Sequence, residues 1–248
     1  SSELLPILIA MSKDKSTSLD ILIQLPALAE RMETQQAIDF LFDLLIQHQH
    51  PTLKLVTLEA LHRAKDKFPN LTITGKRIMP FLMEEADLYK DTLALSYAAQ
   101  QNFVYEQLHP EVLQARDELI GLLERKLDNN LKRIFWILGL TYPPGSILPL
   151  YKDLRHQDQT NRISAVELLD NILEPPMKKA IISIIETAMQ GKLSSDDMNR
   201  LQLTEHTEEE CYQSLLSGND DQIKLAVLKL LEALKDPQYD HLIAMATA

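Results

Sequence analysis

Residues 131–173 decide the fold of this chain, and they read LKRIFWILGLTYPPGSILPLYKDLRHQDQTNRISAVELLDNIL. Apolar side chains recur in the first part of this stretch at helical spacing and on neighbouring faces; they are Ile134, Phe135, Ile137, Leu138 and Tyr142. This pattern predicts a helix that is apolar around most of its circumference and buried between neighbours. The run Pro143-Pro144-Gly145 then ends the helix, because proline lacks an amide donor and disfavours the α conformation in the residue before it.

Two further helices are predicted after this proline run. One covers residues 147–154, and the next begins after Asp158, whose carboxylate can accept the free amide groups of a first helical turn. The apolar face predicted for the last helix consists of Ile163, Val166, Leu169 and Leu173, with Ala165 and Ile172 beside it. A helix, a tight turn and a second helix form a hairpin that can stack on copies of itself.

The composition of the whole chain favours the same architecture. Its 248 residues are 45% hydrophobic, and they include only 6 glycines and few runs in which β-branched and polar residues alternate. We therefore predict an all-α fold with almost no strand, organised as one continuous domain over residues 1–248. An acidic segment at residues 191–207 has few apolar side chains to bury, and we expect it to be a weakly ordered connection or one weak helix within that domain.

One set of spacings recurs along the chain. Asp158, Arg162, Ala165, Leu168 and Leu169 lie at offsets of zero, four, seven, ten and eleven; Asp220, Lys224, Val227, Leu230 and Leu231 repeat these offsets, and His50, Lys54, Thr57, Ala60 and Leu61 form a weaker third copy. In each copy we expect the first residue to cap a helix, the cation to lie one turn later, and the other three to form a buried stripe. This pattern resembles the HEAT repeat, a close relative of the armadillo repeat, in which antiparallel helix pairs stack into an α-solenoid, or α-α superhelix.

Residues 139–173 also resemble a narrower family. The features shared with it are GLTYPP at 139–144, the positions of Ile147, Tyr151, Leu154, Arg155, Asp158 and Arg162, and the closing AVELLDNIL at 165–173. Together they resemble the HEAT-repeat region of bacterial ATP/ADP-carrier-like membrane proteins, except that Ser164 stands where asparagine is expected. The resemblance implies cytoplasmic repeats that follow a nucleotide-carrier membrane domain and can precede a domain of the cyclic-nucleotide-binding type. It assigns no transport residue to this chain.

Charge and cysteine content restrict the partners. The net charge of −11 opposes binding to nucleic acid or anionic lipid, because both require a cationic surface. The longest uncharged run, residues 134–151, is cut by the proline run into pieces too short to cross ~30 Å of hydrocarbon, so no direct membrane insertion is expected.

A single cysteine, Cys211, excludes an internal disulfide and favours a reducing compartment. With the resemblance, this predicts a cytoplasmic segment held at the inner face of the bacterial membrane by a fused carrier domain.

The residues with chemical potential favour structural roles. His48 and His50 lie on different faces of a helix end and have no further ligand at a suitable spacing, so no metal site is expected. Cys211 follows the glutamate run 208–210, whose charge raises a thiol pKa, and is not expected to be a nucleophile. The glutamate run itself is predicted to be a solvated first helical turn. No glycine-rich phosphate loop is present, and we expect no cofactor.

The candidate partner-binding residues are Arg155, Arg162, Glu167, Asp170 and Asn171. The last three are expected to be exposed polar groups on the concave side of a solenoid. We do not expect them to be catalytic, because no acid and base with opposed environments can be identified. Residues 131–185 carry seven cations and five acids, a balance of +2, whereas residues 196–221 carry one cation and eight acids, a balance of −7. One interpretation of this asymmetry is ordinary solvated charge. The other is a docking face, in which Arg155 and Arg162 hold an acidic segment of a neighbouring domain.

These patterns predict a non-catalytic scaffold or regulatory domain, which binds another protein or a neighbouring domain of its own polypeptide. The leading hypothesis places it in an ATP:ADP-carrier-like membrane protein. A free-standing soluble HEAT-repeat adaptor is the alternative, and an enzyme of unknown class is a more distant one.

Overall fold

A computed structural model describes residues 4–101, 109–143, 145–155, 158–190 and 193–247. Throughout these ranges the regular structure is helical and no strand occurs, which confirms the predicted all-α fold. No helix in this part of the chain combines the length and the apolarity needed to cross a bilayer.

The helices follow one another along the chain with short connections. They are α1 (Leu4–Lys13), α2 (Leu19–Leu22), α3 (Leu25–Ala29), α4 (Gln35–Gln47), α5 (Pro51–Lys67), α6 (Gly75–Gln100), α7 (Pro110–Gly139), α8 (Leu148–Leu154), α9 (Gln159–Ile172), α10 (Pro175–Gln190), α11 (Ser195–Leu201), α12 (Glu208–Ser217), α13 (Asp221–Leu234) and α14 (Asp240–Thr247), with a 3₁₀ turn at Pro237–Tyr239. The helix that begins at Pro110 continues to Gly139, so the apolar helix predicted at the start of residues 131–173 is the last part of α7.

The helices form two compact units. The first comprises residues 1–83 and 132–172, and the second comprises residues 84–131 and 173–248. Each unit therefore contains one part of α6 and one part of α7. A single continuous solenoid over residues 1–248 remains a prediction.

In the first unit, α4 packs against α5, the helix that carries the weaker repeat copy. The Thr34 hydroxyl caps α4 by accepting a hydrogen bond from the Ala37 amide at 3.2 Å. Pro51 opens α5, where its missing amide donor removes no helical hydrogen bond. The buried side chains of the pair include Ile38, Leu41, Phe42 and Leu45 on α4 and Leu53, Leu58 and Leu61 on α5. Each large aliphatic side chain buried in this way contributes about 1.5–3 kcal/mol.

The second pair of this unit, α8 and α9, is packed together but buries fewer side chains. α9 begins after Asp158, whose Oδ1 accepts the Thr160 amide at 3.0 Å, and its buried residues are Ala165 and Leu169. Ile163 and Leu168 are 45% and 47% exposed, so the prediction that they are buried is wrong. The physical reason is the size of the neighbour: α8 has 7 residues, and it covers one side of a helix of 14.

In the second unit, α12 packs against α13, which carries the other strong repeat copy. The Asp220 carboxylate caps α13 by accepting the amides of Gln222 and Ile223, both at 3.1 Å. The predicted stripe on α13 is buried, and it joins a core that also contains side chains of α6, α7, α12 and α14; the core includes Ala99, Leu119, Leu123, Tyr212, Leu215, Val227, Leu230, Leu231 and Leu242.

The acidic connection contains a helix where the structure describes it. Ser194 and Asp197 form a capping box at the start of α11: the Asp197 amide donates to the Ser194 hydroxyl at 3.2 Å, and the Ser194 amide donates to the Asp197 carboxylate at 3.0 Å. Met198 and Leu201 are buried. Of the two alternatives predicted for residues 191–207, the short helix is therefore the one observed, and residues 191 and 192 lie outside the described residues.

Candidate partner-binding surfaces

The cap predicted for each repeat copy is present in all three. Asp158 and Asp220 accept amides of the first turns of α9 and α13, and the His50 Nδ1 accepts the Thr52 amide at 3.3 Å at the start of α5. Each capped helix is the second member of a packed pair. The three copies therefore share both a local cap and a place within a helix pair.

The two predicted arginines lie at adjoining helix ends: Arg155 directly follows α8, and Arg162 lies in the first turn of α9. Arg155 is exposed; its Nη1 donates to the Tyr151 hydroxyl at 3.0 Å, and its guanidinium lies 5.7 Å from the centre of the Tyr151 ring. Arg162 is half-buried in the first turn of α9. The contact with Tyr151 holds the Arg155 charge at the protein surface, because Tyr151 lies one turn earlier on the same helix.

The side of α9 that faces away from its neighbours carries two of the other predicted residues. Ile163, Ser164, Glu167, Leu168 and Asn171 recur at one-turn spacing and are all exposed, and we call this set the α9 outward stripe. Glu167 and Asn171 thus share a surface, whereas Asp170 lies at its edge and is half-buried. The sequence pattern did not reveal that two large aliphatic side chains belong to the same surface.

A groove in the second unit was not predicted. It has a volume of about 620 Å³ and lies between α7 and α13. Its lining consists of Asp117, Glu118, Gly121, Leu122 and Arg125 from α7 and of Gln222 and Leu225 from α13. Leu225 is 55% exposed, and the Nζ of Lys229 on α13 donates to the Oε1 of Glu118 on α7 at 3.0 Å.

A buried polar cluster in the second unit was also missed. The Arg116 side chain is only 2% exposed; its Nη2 donates to Glu208 Oε1 at 2.7 Å and its Nη1 to the Ala99 carbonyl at 2.6 Å. The hydroxyls of Tyr212 and Tyr239 donate to the same carboxylate, and burial raises the pKa of both tyrosines. The prediction of a solvated glutamate run is therefore wrong for Glu208, whereas Glu209 and Glu210 are exposed in the first turn of α12.

The position of Arg116 within α7 was the available signal for this cluster. It follows Val112 by four residues and precedes Leu119 by three, so it lies on the buried stripe of its helix. A charged side chain at such a position requires a partner of opposite charge. Glu208 is 92 residues away in sequence, and helical periodicity does not identify a partner at that distance.

In the first unit, two side chains of α5 satisfy carbonyls at the end of α7. His62 Nε2 lies 2.6 Å from the Trp136 carbonyl, and the Lys65 Nζ donates to the carbonyls of Gly139 and Tyr142 at 3.2 and 2.6 Å. A Cβ at position 139 would lie 2.7 Å from His62 Cε1, so glycine permits this close approach. Burial lowers the pKa of both His62 and Lys65. The arrangement is structural, because a helix end has carbonyls without partners in the helix.

The lone cysteine lies in the core of the second unit. Cys211 Sγ donates to the Leu95 carbonyl at 3.3 Å, and burial raises the pKa of the thiol to about 12, with the charge of Glu208 as the second cause. The predicted direction of the shift is confirmed, although burial is the larger cause. Among the residues that the structure describes, no group of three or more His, Cys, Asp or Glu side chains is arranged to hold a metal ion.

No protein-family model, curated protein or solved structure matches this chain.

Proposed function

We propose that this chain is a non-catalytic, HEAT-like α-solenoid that binds another protein or a neighbouring domain of its own polypeptide. One observation carries the proposal: α5, α9 and α13 each begin with a side-chain cap at the same repeat position, and each packs against the helix before it. Stacked helix pairs of one kind expose extended surfaces that bind proteins. Such surfaces require no cofactor and no catalytic residue.

The leading form of the proposal is a cytoplasmic scaffold or regulatory segment of an ATP:ADP-carrier-like bacterial membrane protein. It is supported by the resemblance of residues 139–173, and it places the segment at the inner face of the membrane through the fused carrier domain. A free-standing adaptor is the alternative. The reading frame upstream of Ser1 distinguishes the two: about a dozen hydrophobic segments joined in frame support the carrier, and their absence supports the adaptor.

The docking surface that we propose is formed by Arg155, directly after α8, and Arg162, in the first turn of α9, together with the α9 outward stripe. Arg155 and Arg162 supply cations next to the exposed Ile163 and Leu168. Glu167, Asp170 and Asn171 supply hydrogen-bonding groups at the rim of these apolar residues. An acidic segment with an apolar side chain complements this surface, because apolar contact supplies affinity while charge selects and orients the partner.

Reversal of both arginines to glutamate tests this assignment. We expect Arg155→Glu with Arg162→Glu to weaken association with the rest of the full-length polypeptide and to reduce its salt dependence, while circular dichroism shows unchanged helical content. The matched control is Lys178→Glu with Lys179→Glu, which changes the charge equally on α10 and leaves the proposed surface intact. Equal loss in both double variants, or no loss in the first, would return the arginines to a structural role.

A further inference from the structure

The groove between α7 and α13 is open along its α7 wall because one residue of that wall is a glycine. Gly121 lies at the middle of the α7 wall, and a Cβ built there meets nothing within 4 Å. Asp117 and Arg125 lie one turn before it and one turn after it on the same side of the helix. The groove therefore runs along α7 for about 12 Å, at 1.5 Å per residue.

The opposite wall carries an exposed leucine at a recurring repeat position. Leu225 lies five residues after the cap Asp220, and Ile163 lies five residues after the cap Asp158. Both are large aliphatic side chains about half exposed, at 55% and 45%. The third copy has the partly exposed Leu55 at this position. An aliphatic residue that recurs on the open side of a repeat is expected where partners bind, because it does not contribute to the buried stripe.

The charges of the groove differ between its ends. Asp117 and Glu118 lie at one end; Glu118 is paired with Lys229, whereas Asp117 has no ion pair with any residue in the described ranges. Arg125 lies at the other end and likewise has no ion pair with a described residue. A ligand that complements the groove therefore carries a cation near Asp117, an apolar side chain over Gly121, and a carboxylate near Arg125.

We propose that this groove binds an amphipathic helix of a partner protein, with an apolar anchor seated over Gly121 between Leu122 and Leu225. Residues one and two turns apart on such a helix present the cation, the anchor and the carboxylate along one side, at the spacing of the groove. The inference rests on the proposed scaffold function. It concerns a second surface, with a different partner chemistry from the acidic segment assigned to α9.

The test uses the whole 248-residue chain and a labelled helical peptide with a leucine stripe, lysine at one end and glutamate at the other. Gly121→Leu fills the groove without removing a contact of the fold, and Leu225→Ala removes the opposite wall. We expect each to weaken peptide binding by about tenfold or more in fluorescence anisotropy, the loss typical of a central anchor contact. Asp117→Lys should weaken binding at low salt and have less effect at high salt, because screening reduces exposed charge interactions.

The matched control is Ile46→Ala, which removes an exposed aliphatic side chain on α4, outside both proposed surfaces. It should leave peptide binding unchanged. The proposal is overturned if the peptide does not bind the unsubstituted chain, or if Gly121→Leu and Leu225→Ala bind it as tightly as the control does. Conversion of a dimer to a monomer by Gly121→Leu, seen by light scattering, would assign the groove to a second copy and also overturn it. None of these results changes the expected effect of the arginine reversals on α9, so the two proposals fail separately.

Discussion

α9 and α13 begin alike and are packed differently. An aspartate caps each helix, and the stripe positions of both carry apolar residues. On α13 the buried residues are Ile223, Ala226, Val227, Leu230 and Leu231, whereas on α9 they are Ala165 and Leu169. Leu168 is 47% exposed, and Leu230 at the same repeat position is fully buried. A cap depends on residues next to it in sequence, but burial depends on how many neighbouring elements the fold supplies.

The largest difference in stability is expected between variants of Arg116, which contacts α12, and of Arg155, which follows α8. Arg116 is buried against Glu208 at the start of α12, so Arg116→Ala should cost about 3–5 kcal/mol by leaving a carboxylate in a largely buried site. Arg155→Ala removes an exposed contact with Tyr151 and should cost less than about 1 kcal/mol. Urea unfolding of both variants measures the difference. A loss at Arg155 as large as that at Arg116 would show that the α8–α9 pair is more tightly packed than described.

The next largest difference is expected between Leu168 on α9 and Leu230 on α13, which occupy the same repeat position. Leu230→Ala should destabilise the protein by about 2–5 kcal/mol, because it leaves a cavity in the core of the second unit. Leu168→Ala should change the free energy of unfolding by no more than about 0.5 kcal/mol, as for most exposed positions. Leu169→Ala and Leu231→Ala serve as controls, since both remove a buried leucine and should cost similar amounts. Equal losses at Leu168 and Leu230 would contradict the difference in packing.

Removal of the capping aspartate should destabilise α9 and α13 by similar amounts, although the two helices differ in how well their apolar stripes are buried. Asp158→Ala and Asp220→Ala should each destabilise by about 0.5–2 kcal/mol, the range for loss of a helix cap. The substitution of asparagine at either site keeps an amide acceptor and should recover most of the loss. A neutral result at one site, with a clear loss at the other, would mean that the alignment of the two copies is accidental.

His62, on the helix α5 that carries the third repeat copy, should make the stability of the protein depend on pH. Burial lowers the pKa of His62 in the folded protein below its ordinary value of 6.5, so the unfolded chain binds a proton more readily. The contribution of His62 to the free energy of unfolding should therefore be fully present above pH 6.5. It should decrease as the pH falls toward the pKa of His62 in the folded protein, by at most ~1.4 kcal/mol per pH unit. Unfolding at several pH values, compared with His62→Gln, measures this contribution. A histidine contribution that grows on acidification would contradict burial of the neutral ring.

The sequence was sufficient for features that are local or periodic. Asp158, Asp220 and His50 were identified as caps because a cap is defined within three residues. The stripe of α13 followed from helical spacing alone. Leu168 was misplaced because periodicity shows which residues share a face and not whether a neighbour covers it. The groove was missed for a related reason: Gly121 and Leu225 acquire their roles only when α7 and α13 are placed side by side in the second unit.

Thiol labelling tests the central difference between α9 and α13 most directly. The single cysteine is buried with a pKa of about 12, so the unsubstituted chain should react slowly with a thiol reagent. We predict that Leu168→Cys reacts at nearly the rate of a free thiol. Leu230→Cys should react at least about a thousandfold more slowly, because a core site is exposed only by unfolding that costs ~5 kcal/mol or more. Slow labelling at position 168 in the folded chain would contradict the account, because the α9 outward stripe would then be covered and unable to receive a partner.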